Sequence, residues 1–149
     1  MKSIFQKESF DEIISRINKL TPTTQRQWGK MNVDQMLAHC TIGLETAIGT
    51  KVLSQLLIGK LIGRFFKSMI INEKHFRRNS KTHPGFIIPD KRDFEREKEQ
   101  LIKLAKQFSE GGEGKCTSNP HSFFGKLTPN EWGVLMYKHI DHHLQQFDV

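Results

Sequence analysis

Three histidines fall close together towards the C-terminal end of the sequence: His139, His142 and His143, within NEWGVLMYKHIDHHLQQF. On an α-helix, residues four apart lie about 40° round and about 6 Å along, so His139 and His143 project side by side from one face. That spacing lets one helix give two imidazoles to one metal ion. Trp132, Met136 and Gln146 lie on or near the same face, so mainly apolar groups border the pair. His139 with His142 is the competing pair, about 60° apart in the other direction. Two imidazoles do not make a site, and a third donor is needed. His39, in VDQMLAHCTIGLETAIG, lies beside an apolar stripe and is the preferred one, with Gln35 a turn before it on its face. The alternative for His39 is a buried imidazole hydrogen-bonded to a neighbouring helix.

Three neutral imidazoles leave a coordination position open to water, substrate or thiolate, as a catalytic rather than a structural metal site does. Such an ion lowers the pKa of bound water to near 7 or keeps a thiol deprotonated. Hydrolysis would also want a nearby carboxylate base. There is no HExxH arrangement, Glu45 is turned off the His39 face, and Asp141 points away from His139. The lack of an evident local base favours thiolate activation over hydrolysis unless the fold brings in a base from elsewhere. The other reading is a non-catalytic stress-response or binding bundle that keeps its histidines by descent. Gln35, Asp141 and His142 are candidates for supporting the ligands, Gln35 by bonding a metal-bound group and Asp141 by fixing an imidazole tautomer. His142 is also a spare ligand or proton shuttle. His121 is expected to bond backbone, and Cys40, about 100° round from His39, to sit in the core.

The elements that must carry these groups are helices. Ser9 and Glu12 form a capping-box start before Phe10, Ile13, Ile14, Ile17 and Leu20, and Thr21-Pro22 ends that helix. A linker with Trp28 and Met31 as anchors leads to Asn32, which caps the helix bearing His39. Its stripe is Met36, Leu37, Cys40, Leu44 and Ala47. A third long helix spans 90–110, with Phe94, Leu101, Leu104, Ala105 and Phe108 inward and Gly111-Gly112 as its stop. Thr128 and Glu131 make a second capping box, with Pro129 in the first turn of the histidine helix. Only Phe86-Ile87-Ile88 resembles a strand. His75 and His83 are expected to face solvent.

The 149 residues suit one domain, and their net charge of +7 is unevenly spread. Residues 51–82 carry eight Lys/Arg against the single acid Glu73, whereas the flanking parts are near neutral. No aromatic–basic interleaving or groove-reading motif accompanies that charge, which argues against nucleic acid as a partner. Residues 51–71 hold Val52, Leu53, Leu56, Leu57, Leu61, Phe65, Met69 and Ile70, interrupted by Lys60, Arg64 and Lys67. The internal cations argue against a membrane span. The favoured reading is one or two helices, hinged at Gly59 or Gly63, covering the bundle; the other is a cationic amphipathic helix lying on a membrane surface. Two cysteines, far apart, and an N-terminus without an apolar signal core fit a reducing, cytoplasmic setting.

Trp28-Gly29-Lys30-Met31 leading into Val33-Asp34-Gln35-Met36-Leu37-Ala38-His39, with His121-x-Phe123-Phe124-Gly125 and Trp132…His139-x-x-x-His143-x-x-Gln146-Phe147, resembles the DinB/YfiT-like superfamily. Within it the chain is most similar to an uncharacterised DUF-type branch with a C-terminal KHxDHHLxQF run. The resemblance implies an all-α four-helix bundle with a helical insertion between its second and third main helices. It implies a nickel or zinc ion held by His39, His139 and His143. Relatives include transferases and isomerases that use low-molecular-weight thiols on small molecules, and several dimerise, so a homodimer is a further expectation. No substrate is implied for this branch.

Overall fold

The computed structural model describes residues 1–72 and 74–149, and the side chains of all of these except Arg64 and Met69. Those two side chains and Glu73, used above in reading the basic segment, lie outside the described residues.

The chain is all-helical among those residues. Its five α-helices are α1 (Lys7–Lys19), α2 (Val33–Ile48), α3 (Leu57–Ile62), α4 (Phe94–Gly111) and α5 (Pro129–Gln146). Four are long, and they pack in a ring of neighbours: α2 against α4 and α5, and α1 against those same two. One hydrophobic cluster joins them, with Ile13 and Ile17 of α1, Met36, Leu37 and Leu44 of α2, Leu101 and Phe108 of α4, and Trp132 and Leu144 of α5.

Local chemistry sets most boundaries. At the start of α5 the Thr128 hydroxyl accepts from the Glu131 N–H at 3.2 Å, and the Glu131 carboxylate accepts from the Thr128 N–H at 2.7 Å. Pro129 supplies the first helical residue, where a missing N–H costs nothing. Helix α2 ends on Gly49, whose φ of +92° suits a residue without a Cβ. Helix α1, however, begins two residues before the expected Ser9. Gln6 is its N-cap, and the Gln6 side-chain oxygen accepts from the Ser3 N–H and the Ser9 hydroxyl, both at 3.2 Å, leaving Ser9 buried inside the helix.

Phe86-Ile87-Ile88 is not a strand. Pro84–Phe86 form a 3₁₀ turn, and no strand among the described residues offers a ladder. The run instead alternates inward and outward. Phe86 and Ile88 bury against Ala38 and Ile42 of α2, with Leu53 beside them, while Ile87 faces solvent. Burying two such side chains is worth about 1.5–3 kcal/mol each, which fixes this loop across the outer face of α2.

The basic segment follows α5 from end to end. Helix α3 passes at Gly63 into a 3₁₀ stretch, Gly63–Met69. Lys67 then pairs with Glu131 in the first turn of α5 at 3.3 Å, Lys138 reaches the carbonyls of Ile70 and Asn72 at 3.3 and 2.9 Å, and His75 accepts from Gln145 at 3.1 Å. Gly59 and Gly63 let α3 press against the backbone of Phe123, where any Cβ would collide. The segment covers the long helices only in part. Ile70 is fully buried, but Leu57, Ile58 and Leu61 face outward. No helix among the described residues is long and apolar enough to cross a membrane.

Candidate metal centre

His39, His139 and His143 meet between α2 and α5. Their centroids stand 4.6 to 4.9 Å apart in a near-equilateral triangle, and one nitrogen from each lies within 4.8 Å of the others. The closest pair is His39 Nε2 and His139 Nε2, at 2.9 Å.

Two of the rings are fixed in a defined tautomer by groups behind them. His39 Nδ1 lies 3.0 Å from the Phe86 carbonyl oxygen. A carbonyl only accepts, so Nδ1 carries the proton and Nε2 turns its lone pair inward. That carbonyl is held in turn by the 3₁₀ turn, which His83 caps. His83 Nδ1 accepts from the Gly85 N–H at 2.9 Å, and its Nε2–H donates to the Ser54 carbonyl at 3.1 Å. His83 is half-buried, so beyond the solvent-facing role its sequence context suggests it also holds this turn in place.

His143 has an equivalent brace. Its Nδ1 lies 2.9 Å from the side-chain oxygen of Gln146, and the Gln146 amide nitrogen donates to the Trp28 carbonyl at 2.6 Å. The second bond decides which way the amide faces, so His143 Nδ1 is a donor and its Nε2 is free of a proton. The Gln27 N–H also donates to the Gln146 carbonyl, at 2.7 Å. Gly29, at a φ of +81°, passes so close to this amide that a Cβ there would clash with it. The Trp28-Gly29 turn thus clamps the last turn of α5 and, through Gln146, orients a ring.

His139 is different. Its Nδ1 is buried and has no hydrogen-bond partner among the described residues. Opposite it stands Gly43, one turn beyond His39 on α2, where a Cβ would lie only 2.8 Å from Nδ1. Glycine inside a helix costs about 1 kcal/mol relative to alanine, and here it gives the imidazole room to lie against α2.

Burial keeps all three rings neutral. It pushes the pKa of His39 down, with the Phe86 carbonyl opposing, and that of His139 well down, with His39 and His143 adding to the effect. His143 falls to about 3, through burial and the neighbouring His39, against the pull of Gln146. Neutral imidazoles with inward lone pairs are the form a divalent ion needs. His39 and His143 already have it, whereas His139 Nε2–H donates to His39 Nε2 and must shift its proton to the unpartnered Nδ1 to join them. Nitrogens about 2.05 Å from a common ion stand about 2.9 Å apart at a right angle and about 3.3 Å apart at the tetrahedral angle. The closest pair already meets the first value, and the wider separations must close to at most about 4.1 Å. The donor set fits a divalent ion after a small inward turn of the rings.

The model of the family "Protein of unknown function (DUF1569)" matches residues 2–149. The chain belongs to this family. No curated protein and no solved structure matches it.

In this DUF1569 chain the three expected supporting residues stand elsewhere than beside the ligands, or only at their edge. Gln35 accepts from the Asn32 N–H at 2.9 Å and donates to the Asp90 carbonyl at 3.3 Å, so it is occupied by the helix start and the approach to α4. Asp141 is two residues from both His139 and His143, which places it about 200° round α5. It pairs with Arg16 at 2.6 Å and accepts from Gln145 at 2.8 Å, facing a cavity of about 650 Å³ on the opposite side of the helix that Glu12 and Tyr137 also line. His142 is half-buried, its ring 5.2 Å from that of His143 and 6.0 Å from Trp28. It flanks the triangle without joining it. His121 Nδ1 accepts from the N–H groups of Phe123 and Phe124 at 3.0 and 3.2 Å, and burial lowers its pKa to about 4. Cys40 is wholly buried, and burial raises its thiol pKa, so it is no nucleophile.

The braces that the structure supplies in their place are the Phe86 carbonyl and Gln146. Gln146 carries a readable signal, since it lies one turn from His143 on the same face. Gly43 carries another, as the only glycine inside α2 and one turn from His39. A backbone carbonyl has no signature in sequence.

Proposed function

We propose that this DUF1569 protein is a DinB/YfiT-like divalent-metal enzyme, using nickel or zinc to transfer a low-molecular-weight thiol onto a small electrophilic molecule. The observation that carries the reading is the meeting of His39, His139 and His143 as neutral imidazoles, two of them braced with their Nε2 lone pairs inward. A divalent ion bound there would supply Lewis acidity, enough to keep a thiol deprotonated at neutral pH. With three protein donors, a coordination position is left for that thiol.

The protein's own groups have distinct tasks in this scheme. The Phe86 carbonyl and the Gln146 amide keep ring protons on the outward nitrogens, so the inward ones stay available without any proton release at neutral pH. The Phe86 ring, 5.4 Å from His39 and 6.2 Å from His139, shields one side from water. No aspartate or glutamate joins the histidine cluster among the described residues. A hydrolase would want a positioned base, so this supports thiol transfer over hydrolysis.

Elemental mass spectrometry on untagged protein tests the first half. Close to one equivalent of nickel or zinc is expected, lost in His39→Ala and in His143→Ala. No metal in the wild-type protein, even after reloading, refutes the metal centre. The second half is tested by following consumption of glutathione with epoxides and aryl halides. Turnover that needs the metal but is indifferent to thiol refutes the transferase.

A further inference from the structure

The outward side of the basic segment carries aliphatic groups that the fold does not use. Leu57, Ile58 and Leu61 of α3 are 79%, 57% and 74% exposed, although they sit on a six-residue helix whose other side is pinned by Gly59 and by the bond from the Leu56 N–H to the Ser122 carbonyl at 2.9 Å. Lys60 is exposed between them, and Lys74, Arg77 and Lys81 are exposed further along the chain. A helix this short has no stability of its own. It is held in place by its glycines and presents its leucines outward.

We infer that α3 and the strip that follows it form a docking surface for an anionic lipid bilayer. Three observations select that occupant. The aliphatic side chains are largely exposed on one short helix, the arrangement that enters the headgroup–acyl boundary. Lys60 stands exposed between them, and residues 51–82 as a whole carry eight Lys/Arg against one acid, which matches a negative surface. The same charge opposes a second copy of this chain, since two such strips would face each other with like sign. The helix is far too short to span, so contact is peripheral.

The test is sedimentation of the full chain with phosphatidylcholine vesicles, with and without phosphatidylserine. Binding is expected only to the anionic vesicles and is released by salt. Lys60→Glu should weaken it by about fivefold or more, the effect of one cation near such a surface. Leu57→Ser with Leu61→Ser should weaken it by at least about tenfold, from the apolar burial lost, with an unchanged far-UV spectrum and melting temperature. No sedimentation with anionic vesicles at low salt overturns the inference, as does binding that the double variant retains. Lipid-free self-association that the double variant abolishes also overturns it and gives the surface to a second copy.

Discussion

Gly43→Ala tests whether α2 is shaped around the His139 ring. The substitution adds one methyl group on the helix face that carries His39. It has two opposing effects. Replacing glycine inside a helix gains about 1 kcal/mol through backbone entropy. Against this, the new Cβ lies 2.8 Å from His139 Nδ1 and 3.0 Å from Cε1, where ordinary contact begins at 3.4 Å. The ring must therefore retreat by about 0.6 Å, the difference between 3.4 and 2.8 Å. Overpacking of this kind costs about 1–3 kcal/mol, so the metal-free protein should melt within a few degrees of wild type. Metal bonds are less forgiving, since ligand distances hold to about 0.2 Å. A ring displaced by three times that should bind zinc or nickel about 10–100-fold more weakly, as loss of a supporting contact does. Competition titration against a chelator of known affinity, beside thermal melts of both metal-free proteins, separates the two effects. Wild-type metal affinity in Gly43→Ala, with a raised melting temperature, would refute the reasoning: the ring would then have room to spare.

Gln146→Leu should act through His143 alone. It removes the acceptor that fixes the tautomer and leaves the Trp28 carbonyl unpaired, so metal affinity should fall about 10–100-fold while His39 keeps its own brace; unchanged affinity in the same titration counts against the brace. Acid should destabilise the metal-free protein. The folded His143 pKa of about 3 lies below the ordinary value of 6.5, so the unfolded chain takes up the proton first. The penalty is absent above about pH 6.5 and grows as pH falls towards about 3, reaching about 2 kcal/mol at about pH 5 from this group, with His39 and His139 acting in the same direction. Denaturant titrations between about pH 7 and 5 should show that loss, with a shallower slope in His143→Asn; a flat profile would mean that the rings are not buried neutral.

Most helix ends were legible because they depend on local chemistry, although α4 starts at Phe94, four residues after the expected start, with Asp93 as its cap. The Thr128–Glu131 box, Asn32, Gly49 and Gly112 each act within a turn or so, and the stripes of α2 and α4 match their buried faces with only Leu104 partly exposed. Spacing brought out the His139–His143 pair with His139–His142 as its competitor, and His39 was preferred for its place beside an apolar stripe. What surrounds them was not legible. Gln35 sits on the face of His39 in sequence, but the Asn32 N–H competes for its oxygen and wins. Asp141 is close to both ligands along the chain and opposite to both around the helix. The Phe86 brace depends on how residues 83–88 cross α2, a tertiary outcome, and its alternation of buried and exposed residues imitates a strand that has no partner. The start of α1 was missed because Gln6, a weak capping residue by type, is favoured here by its bonds to Ser3 and Ser9.

The closest nitrogen pair of the triangle joins residues 100 positions apart. A chain made from its N-terminus at about 5–20 residues per second therefore exposes His39 for several seconds before its partners exist. During that interval a divalent ion would have no site to occupy, and α2 lacks α5 as a neighbour. If the triangle binds an ion as proposed, its capture would be a late event in biogenesis, coincident with the docking of α5. Each tenfold of affinity gained at that moment adds about 1.4 kcal/mol to the hold of α5 on the rest, so the ion would serve as a latch on the finished fold as well as a reagent.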